Sequence, residues 1–279
     1  MTTKPNEYLL TKSGARLQCI LNNKTKNHIN WLLIPAPGLS SDSLTELARL
    51  LQNQVNGSIW MLDYPNDGNN VSENYNFANW HTALIEGITG LNQPILIAHS
   101  TGGMFVQSIA QLEQLASGLI LLNSAPDMDW KETFDQYMLQ NVTSEIIKCA
   151  NKYTMEPSDD ALRDVIMASL KFSFMPKSHI EAGKMLQRIS INHTAADWSD
   201  TNFDPTYKAK LIPQLLPTLI IAGEHDQIIP LTVYSNKKEY HRDNIRIQSI
   251  SQAGHFPWFD NPEELVQVIF NFIATYKLA

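Results

Sequence analysis

The chain has 279 residues and a formal net charge of −7, with 43% hydrophobic and 18% charged residues. This composition allows a sizeable buried core, whereas the mild acidity argues against a nucleic-acid-binding surface, which needs clustered lysine and arginine. No apolar run approaches the ~20 residues that cross a bilayer, and residues 1–8 lack the apolar core of a signal peptide, so we expect a cytoplasmic protein without a membrane span.

Short apolar runs alternate with longer amphipathic segments, which is typical of a mostly parallel β-sheet flanked by helices. Two short runs within residues 7–21 predict an antiparallel hairpin, because a Ser-Gly pair separates them. Six further strands are predicted at residues 31–34, 59–62, 94–98, 119–122, 217–222 and 244–250. Core helices are predicted at residues 43–54, 77–89, 102–115, 231–240 and 262–276.

One long segment interrupts this alternation. Residues 127–205 contain no strand signal, and a structureless loop of that length is unusual inside a compact domain. Four short helices are predicted there instead, at residues 130–139, 144–153, 160–172 and 179–189. We therefore expect a helical lid, inserted after the sixth strand, that divides the core domain into residues 1–126 and 206–279.

Ser100 follows an apolar strand and precedes an amphipathic helix. A serine at such a turn has a strained backbone, and small residues two positions before and after it avoid collisions. Ala98 and Gly102 meet this requirement, and the turn would hold the serine hydroxyl above the carboxyl ends of the strands. A serine that only caps the following helix would show the same local pattern, so the other motifs decide between the two interpretations.

A histidine and a carboxylate stand in suitable places further along the chain. His255 lies on a Gly-His-Phe-Pro loop between the last predicted strand and the last helix, where its ring can reach Ser100 and accept its proton. Asp226 comes just after the preceding strand and can orient the histidine. Glu224 and Asp127 are the competing carboxylates, and we favour Asp226.

The order Ser, Asp, His, with each residue just past a strand, resembles the α/β-hydrolase fold superfamily. The resemblance extends from the first hairpin to the final helix and is weakest in the lid. It implies an α/β fold with a mostly parallel eight-stranded sheet flanked by helices. It also implies catalytic roles for Ser100 as nucleophile, His255 as base and Asp226 as the acid that orients it, with no cofactor.

An enzyme of this kind needs two backbone N–H groups that bind the developing oxyanion. The family places one on the residue after the nucleophile, here Thr101. The second is expected in the loop at residues 34–39, which reads Ile-Pro-Ala-Pro-Gly-Leu. Aligned on its Pro-Gly pair, the loop offers Ala36, and a shifted alignment offers Leu39. The loop departs from the family because Ile-Pro replaces the usual His-Gly.

The resemblance predicts a serine hydrolase that cleaves a small ester, thioester or amide through an acyl-enzyme on Ser100. The Pro-Gly pair faintly resembles proline iminopeptidases, which would need lid carboxylates such as Glu156, Asp159 or Asp160. The alternatives are a cofactor-free oxygenase or lyase on the same fold, or a non-catalytic small-ligand receptor. An intact triad argues against a receptor, which needs neither acid nor base.

Other ligand classes find no support in the sequence. No G-x-G-x-x-G or G-x-x-x-x-G-K-S/T motif follows a strand, so a nucleotide-binding sheet is not expected. The 8 histidines are scattered and form no metal-ligand pattern. The expected partner is a small-molecule substrate, with no metal and no nucleic acid, and the oligomeric state stays open.

Overall fold

A computed structural model of the protein describes residues 7–22, 29–52 and 54–278. Residues 1–6, on which much of the signal-peptide argument rests, lie outside this range. One eight-stranded sheet organises the chain, in the order β1-β2-β4-β3-β5-β6-β7-β8. Its strands are β1 Tyr8–Leu10, β2 Arg16–Leu21, β3 Asn30–Ile34, β4 Ser58–Asp63, β5 Ile95–His99, β6 Gly118–Leu122, β7 Thr218–Gly223 and β8 Ile245–Ile250.

The pairing of the strands confirms the predicted architecture. β1 and β2 form an antiparallel hairpin, and β2 also pairs antiparallel with β4. Strands β3 to β8 are all parallel to one another. The central strands β3 to β7 are buried throughout because helices cover both faces of the sheet, which explains their continuous apolar sequences.

The helices form a layer on each face of the sheet. Successive strand side chains point to opposite faces, so Leu32 belongs to one hydrophobic cluster and Leu33 to the other. The core helices are α1 Thr45–Gln52, α2 Trp80–Gly90, α3 Thr101–Gln107, α4 Leu112–Leu115, α11 Thr232–Ser235, α12 Pro257–Asp260 and α13 Pro262–Tyr276. Helices α2 and α3 supply the Leu32 cluster, whereas α1 and α13 supply the Leu33 cluster.

Two predicted helices are interrupted, and tertiary contacts explain both breaks. The helix expected at 102–115 ends at Gln107, whose carbonyl oxygen accepts the N–H groups of Lys210 and Leu211 instead of continuing the helix. The helix expected at 231–240 shrinks to α11 and a 3-10 turn, because the hydroxyl groups of Tyr234 and Tyr240 both bind Gln107 Oε1, at 2.9 and 3.4 Å. Residues six positions apart point to different sides of a continuous helix. A helix through residues 231–240 could therefore not direct both tyrosines to Gln107, and the chain leaves the helical path between them.

Between β6 and β7 the chain forms a helical insertion, residues 129–202. It consists of α5 Asp129–Asn141, α6 Ser144–Met155, α7 Asp159–Ala168, α8 Leu170–Ser173, α9 His179–Arg188 and α10 His193–Asn202. Sequence patterns missed α10, although Asn192 caps it by accepting the Ala195 N–H. The division of the chain at residues 127 and 205 stays a prediction. No described helix combines the length and apolar character that a membrane span needs.

Candidate active site

Ser100 occupies a sharp turn between β5 and α3. Its φ of 54° and ψ of −130° are strained for a residue with a side chain. The Ser100 N–H donates to the Leu122 carbonyl at 3.0 Å, which ties the turn to the end of β6. Only glycine fits at position 102, because a Cβ there would lie 2.2 Å from the Pro35 carbonyl oxygen. The turn therefore presents the partly exposed Ser100 beside the loop at residues 35–39.

The His255 ring bridges Ser100 and Asp226. Its Nε2 lies 3.0 Å from Ser100 Oγ and its Nδ1 lies 2.9 Å from Asp226 Oδ2. His255 is buried, and its backbone N–H donates to the Ser173 carbonyl at 2.8 Å. The structure thus brings the three predicted catalytic residues together in one hydrogen-bonded chain, and their catalytic roles stay a prediction.

Asp226 accepts hydrogen bonds on both carboxylate oxygens. Oδ1 accepts the backbone N–H groups of Ile228 at 2.9 Å and Ile229 at 3.1 Å. Oδ2 accepts from the Asn123 side chain at 2.7 Å and lies against His255 Nδ1. These donors compensate for the burial of the charge and hold the carboxylate beside the histidine.

The competing carboxylates have other partners. Glu224 accepts the Gln252 N–H at 3.1 Å and lies 3.7 Å from the His225 ring. Asp127 lies just before the first helix of the insertion and pairs with Lys237. Neither is hydrogen-bonded to His255, so the geometry favours Asp226 for the orienting role.

Two residues that the sequence patterns did not indicate support the hydrogen-bonded chain of Asp226, His255 and Ser100. Asn123, with a φ of 48°, follows β6 and donates to Asp226 Oδ2 and to the Gly254 carbonyl. His99 precedes the serine, is buried, and its Nε2 lies 2.9 Å from the His255 carbonyl oxygen. Burial, and then the neighbouring His255, lower the pKa of His99 well below its usual value, so the ring is neutral and Nε2–H donates to that carbonyl.

Backbone donors for an oxyanion are available at both expected positions. Within the described residues, no acceptor takes a hydrogen bond from the Thr101 N–H or the Ala36 N–H, and both residues are partly exposed. The Leu39 N–H, in contrast, donates to the Ala36 carbonyl at 3.3 Å. The alignment that places the donor at Ala36 therefore agrees better with the structure than the one that places it at Leu39.

The helical insertion contacts the loop that carries Ala36 and the loop that carries His255. Its Ser190 carbonyl accepts the Ser40 N–H at 3.1 Å, and its Asn192 N–H donates to the Gly38 carbonyl at 3.0 Å. On the other side, Phe174 stacks on Phe256, the residue after the candidate base, with 4.5 Å between ring centroids. The insertion thus packs over the carboxyl end of the sheet, where ligands bind in open α/β sheets.

In the part of the chain that the structure describes, no cluster suited to a metal ion accompanies this site. Across residues 7–22, 29–52 and 54–278, no group of three or more His, Cys, Asp or Glu side chains is arranged to hold a metal.

Comparison with known proteins gives one family match and many similar folds. A family model described as the alpha/beta hydrolase family matches residues 31–268. Epoxide hydrolase 3 of Xenopus tropicalis is 22% identical over 209 residues, a match that covers 68% of this chain and 55% of that protein. The chain therefore spans little more than half the length of the curated relative it matches.

Solved structures resemble the protein over nearly its whole length. An alpha/beta fold family hydrolase from Bacillus anthracis str. Sterne has a TM-score of 0.73 at 14% identity, covering 96% of this chain and 99% of that chain. A thermophilic esterase from Thermogutta terrifontis has a TM-score of 0.69 at 14% identity, covering 98% of this chain and 99% of that chain. At such low identity these likenesses show the fold alone.

Proposed function

The chain belongs to the alpha/beta hydrolase family, and from that premise we propose that it is a serine hydrolase, which cleaves a small ester, thioester or amide through an acyl-enzyme on Ser100. One observation carries the proposal: the hydrogen-bonded chain from Asp226 through His255 to Ser100, with 2.9 and 3.0 Å between the paired atoms. These distances lie within the range that proton transfer from a nucleophile to its base requires.

In the first half-reaction, Ser100 Oγ attacks the substrate carbonyl carbon while its proton moves to His255 Nε2. Asp226 stabilises the resulting imidazolium, and the N–H groups of Ala36 and Thr101 bind the oxyanion. When the tetrahedral intermediate collapses, the bond to the alcohol, thiol or amine breaks, and the leaving group takes the proton from His255. An acyl ester on Ser100 remains.

In the second half-reaction, water attacks the acyl ester and gives one proton to His255. Collapse of the second tetrahedral intermediate returns that proton to Ser100 Oγ and releases the carboxylic acid. Every proton that leaves one group is accepted by another, so the cycle needs no cofactor. We also propose that the helical insertion is the lid of the active site, which its contacts with the loops that carry Ala36 and His255 support.

Turnover of p-nitrophenyl acetate and butyrate tests the proposal. We expect Ser100→Ala and His255→Ala each to lower kcat/KM by about 10⁴-fold or more. Asp226→Asn should lower it strongly, and Glu224→Gln, a matched carboxylate without a bond to His255, should leave it near the wild-type value. If the folded wild type turns over no ester or amide, the same scaffold must serve as an oxygenase, a lyase or a receptor.

A further inference from the structure

The loop that carries the Ala36 N–H is a tight turn with Pro37 and Gly38 at its centre. The Leu39 N–H donates to the Ala36 carbonyl at 3.3 Å, and Gly38 has a φ of +79°. These features define a type II turn, which differs from type I in the orientation of the central peptide. The partner of the Gly38 N–H therefore holds the central peptide in the type II orientation.

The Asp67 carboxylate binds that N–H. Asp67 Oδ2 accepts the Gly38 N–H at 2.9 Å, and Oδ1 accepts the Gly68 N–H at 2.8 Å. Asp67 is 1% exposed, so water does not replace either donor. One buried carboxylate thus joins the loop after β4 to the loop after β3, with one backbone donor on each oxygen.

Tyr64, three residues before Asp67, fixes the other end of the same loop. Its hydroxyl group donates to the Pro35 carbonyl at 3.2 Å. Described peptide bonds are all trans, so the Ala36 N–H points away from the Pro35 carbonyl that Tyr64 holds. The Ala36 donor is thereby directed by contacts outside its own loop, where Ile-Pro stands in place of the family's His-Gly.

We propose that Asp67 is a positioning residue of the active site, whose ionised carboxylate holds the Gly38 N–H and so keeps the Ala36 N–H aimed at the oxyanion. The catalytic consequence rests on the proposed serine hydrolase function. The contact between Asp67 and the loop does not, and it can be tested separately.

The ionisation of Asp67 falls near neutral pH. Burial, opposed by the two backbone hydrogen bonds and reinforced by the nearby Asp63 carboxylate, raises the pKa of Asp67 to about 7. Arg16 lies 3.7 Å from Asp63 and faces that carboxylate. Tyr64 is neutral because burial raises its pKa well above its usual value. From the insertion, the uncharged Asn192 amide lowers the pKa of Asp67.

Protonation removes one of the two contacts. A protonated carboxyl group has a hydroxyl donor on one oxygen, and this donor would face the N–H of either Gly38 or Gly68. The Asp67→Asn variant imitates this form at every pH, because its amide offers one oxygen acceptor and one NH₂ donor. Loss of either contact weakens the link between the two loops, so the oxyanion loop should be held less firmly below the pKa of Asp67.

Nuclear magnetic resonance of the wild type tests the contact without any assay of activity. Gly38 is the only one of the 12 glycines that follows a proline, so ¹⁵N-glycine with carbonyl-¹³C-proline labelling identifies its amide signal. We expect the Gly38 and Gly68 signals to titrate with a shared midpoint near 7. The signal of Gly90, at whose position an added Cβ would meet no atom within 4 Å, should stay constant. A Gly38 signal without that midpoint would overturn the proposal.

The pH dependence of turnover tests the catalytic consequence. We expect the ratio of kcat between wild type and Asp67→Asn to be near one at about pH 5.5 and about tenfold or more at about pH 8.5. The two proteins differ only at residue 67, so contributions common to both cancel in the ratio, and KM should not change. Asp42→Asn, which removes a nearby charge that does not touch the loop, should give a ratio independent of pH.

The outcomes separate the two hypotheses. A ratio that stays constant with pH, while wild type is active, contradicts the positioning role of Asp67. Absence of ester turnover in folded wild type contradicts the proposed function, and the Gly38 titration still decides whether Asp67 holds the loop. If Asp67→Asn does not fold, the titration of the wild type decides alone.

Discussion

Removal of the Asn123 side chain should weaken both the fold and the proposed catalysis. Its Nδ2 lies 2.7 Å from Asp226 Oδ2 and 3.2 Å from the Gly254 carbonyl oxygen, and the residue is fully buried. A hydrogen bond to a charged group contributes about 1.5–3 kcal/mol, and a neutral one about 1 kcal/mol. Asn123→Gly should therefore lower the free energy of unfolding by about 2.5–4 kcal/mol.

The backbone at this position allows a matched comparison. Asn123 has a φ of 48°, which glycine adopts freely and alanine adopts only at a cost of about 1–2 kcal/mol. Asn123→Ala loses the same hydrogen bonds as Asn123→Gly and adds this strain, so it should be the less stable variant by about 1 kcal/mol. The difference between the two variants isolates the backbone contribution from that of the side chain.

Equilibrium unfolding in urea, followed by circular dichroism, measures these differences. In parallel, kcat/KM for p-nitrophenyl acetate should fall about tenfold to a hundredfold in both variants, because a carboxylate with one donor fewer orients His255 less well. If Asn123→Gly loses less than about 1 kcal/mol of stability and retains full activity, the Asn123 side chain does not support Asp226. Equal stability of the two variants would refute the argument from the positive φ.

Three further predictions concern the oxyanion loop and its supports. Tyr64→Phe removes the hydroxyl group that donates to the Pro35 carbonyl, so urea unfolding should show a loss of about 1–2 kcal/mol of stability. Steady-state kinetics should show a lower kcat with little change in KM. Gly102→Ala should destabilise the fold by about 1–3 kcal/mol, because the new Cβ meets the Pro35 carbonyl oxygen. Gly90→Ala, whose Cβ would lie in open space, should stabilise the fold by about 0.5–1 kcal/mol, and thermal unfolding compares the two variants. Between about pH 4 and the raised pKa of about 7, the folded state retains the Asp67 proton that the unfolded chain releases. As the pH rises through this window, wild type should therefore lose up to roughly 4 kcal/mol more stability than Asp67→Asn, and urea unfolding at each pH measures the difference.

The strands and the candidate triad were accessible from sequence because local patterns determine them. A parallel strand buried on both faces must be apolar along its length, so β6 and β7 stand out as continuous runs. The turn at Ser100 demands small neighbours, and Gly102 meets this demand against the Pro35 carbonyl. Signals of this kind need no knowledge of which elements meet in space.

The supporting residues could not be predicted because their roles arise from contacts between distant segments. Asn123 and Asp67 each follow a strand, where asparagine and aspartate are also ordinary turn residues. Only the folded chain shows that Asn123 meets Asp226 and that Asp67 meets Gly38. Helix α10 was missed for a different reason: its polar sequence lacks an apolar period, and its N-cap and tertiary contacts define it.

Covalent labelling shows directly whether Ser100 is a nucleophile. Folded wild type is incubated with a broad fluorophosphonate, and intact-mass spectrometry with peptide mapping locates the adduct, with Ser100→Ala and denatured wild type as controls. We expect one adduct per chain on Ser100 and none in either control. An adduct that persists in Ser100→Ala, or a folded wild type that takes up no label, would contradict it.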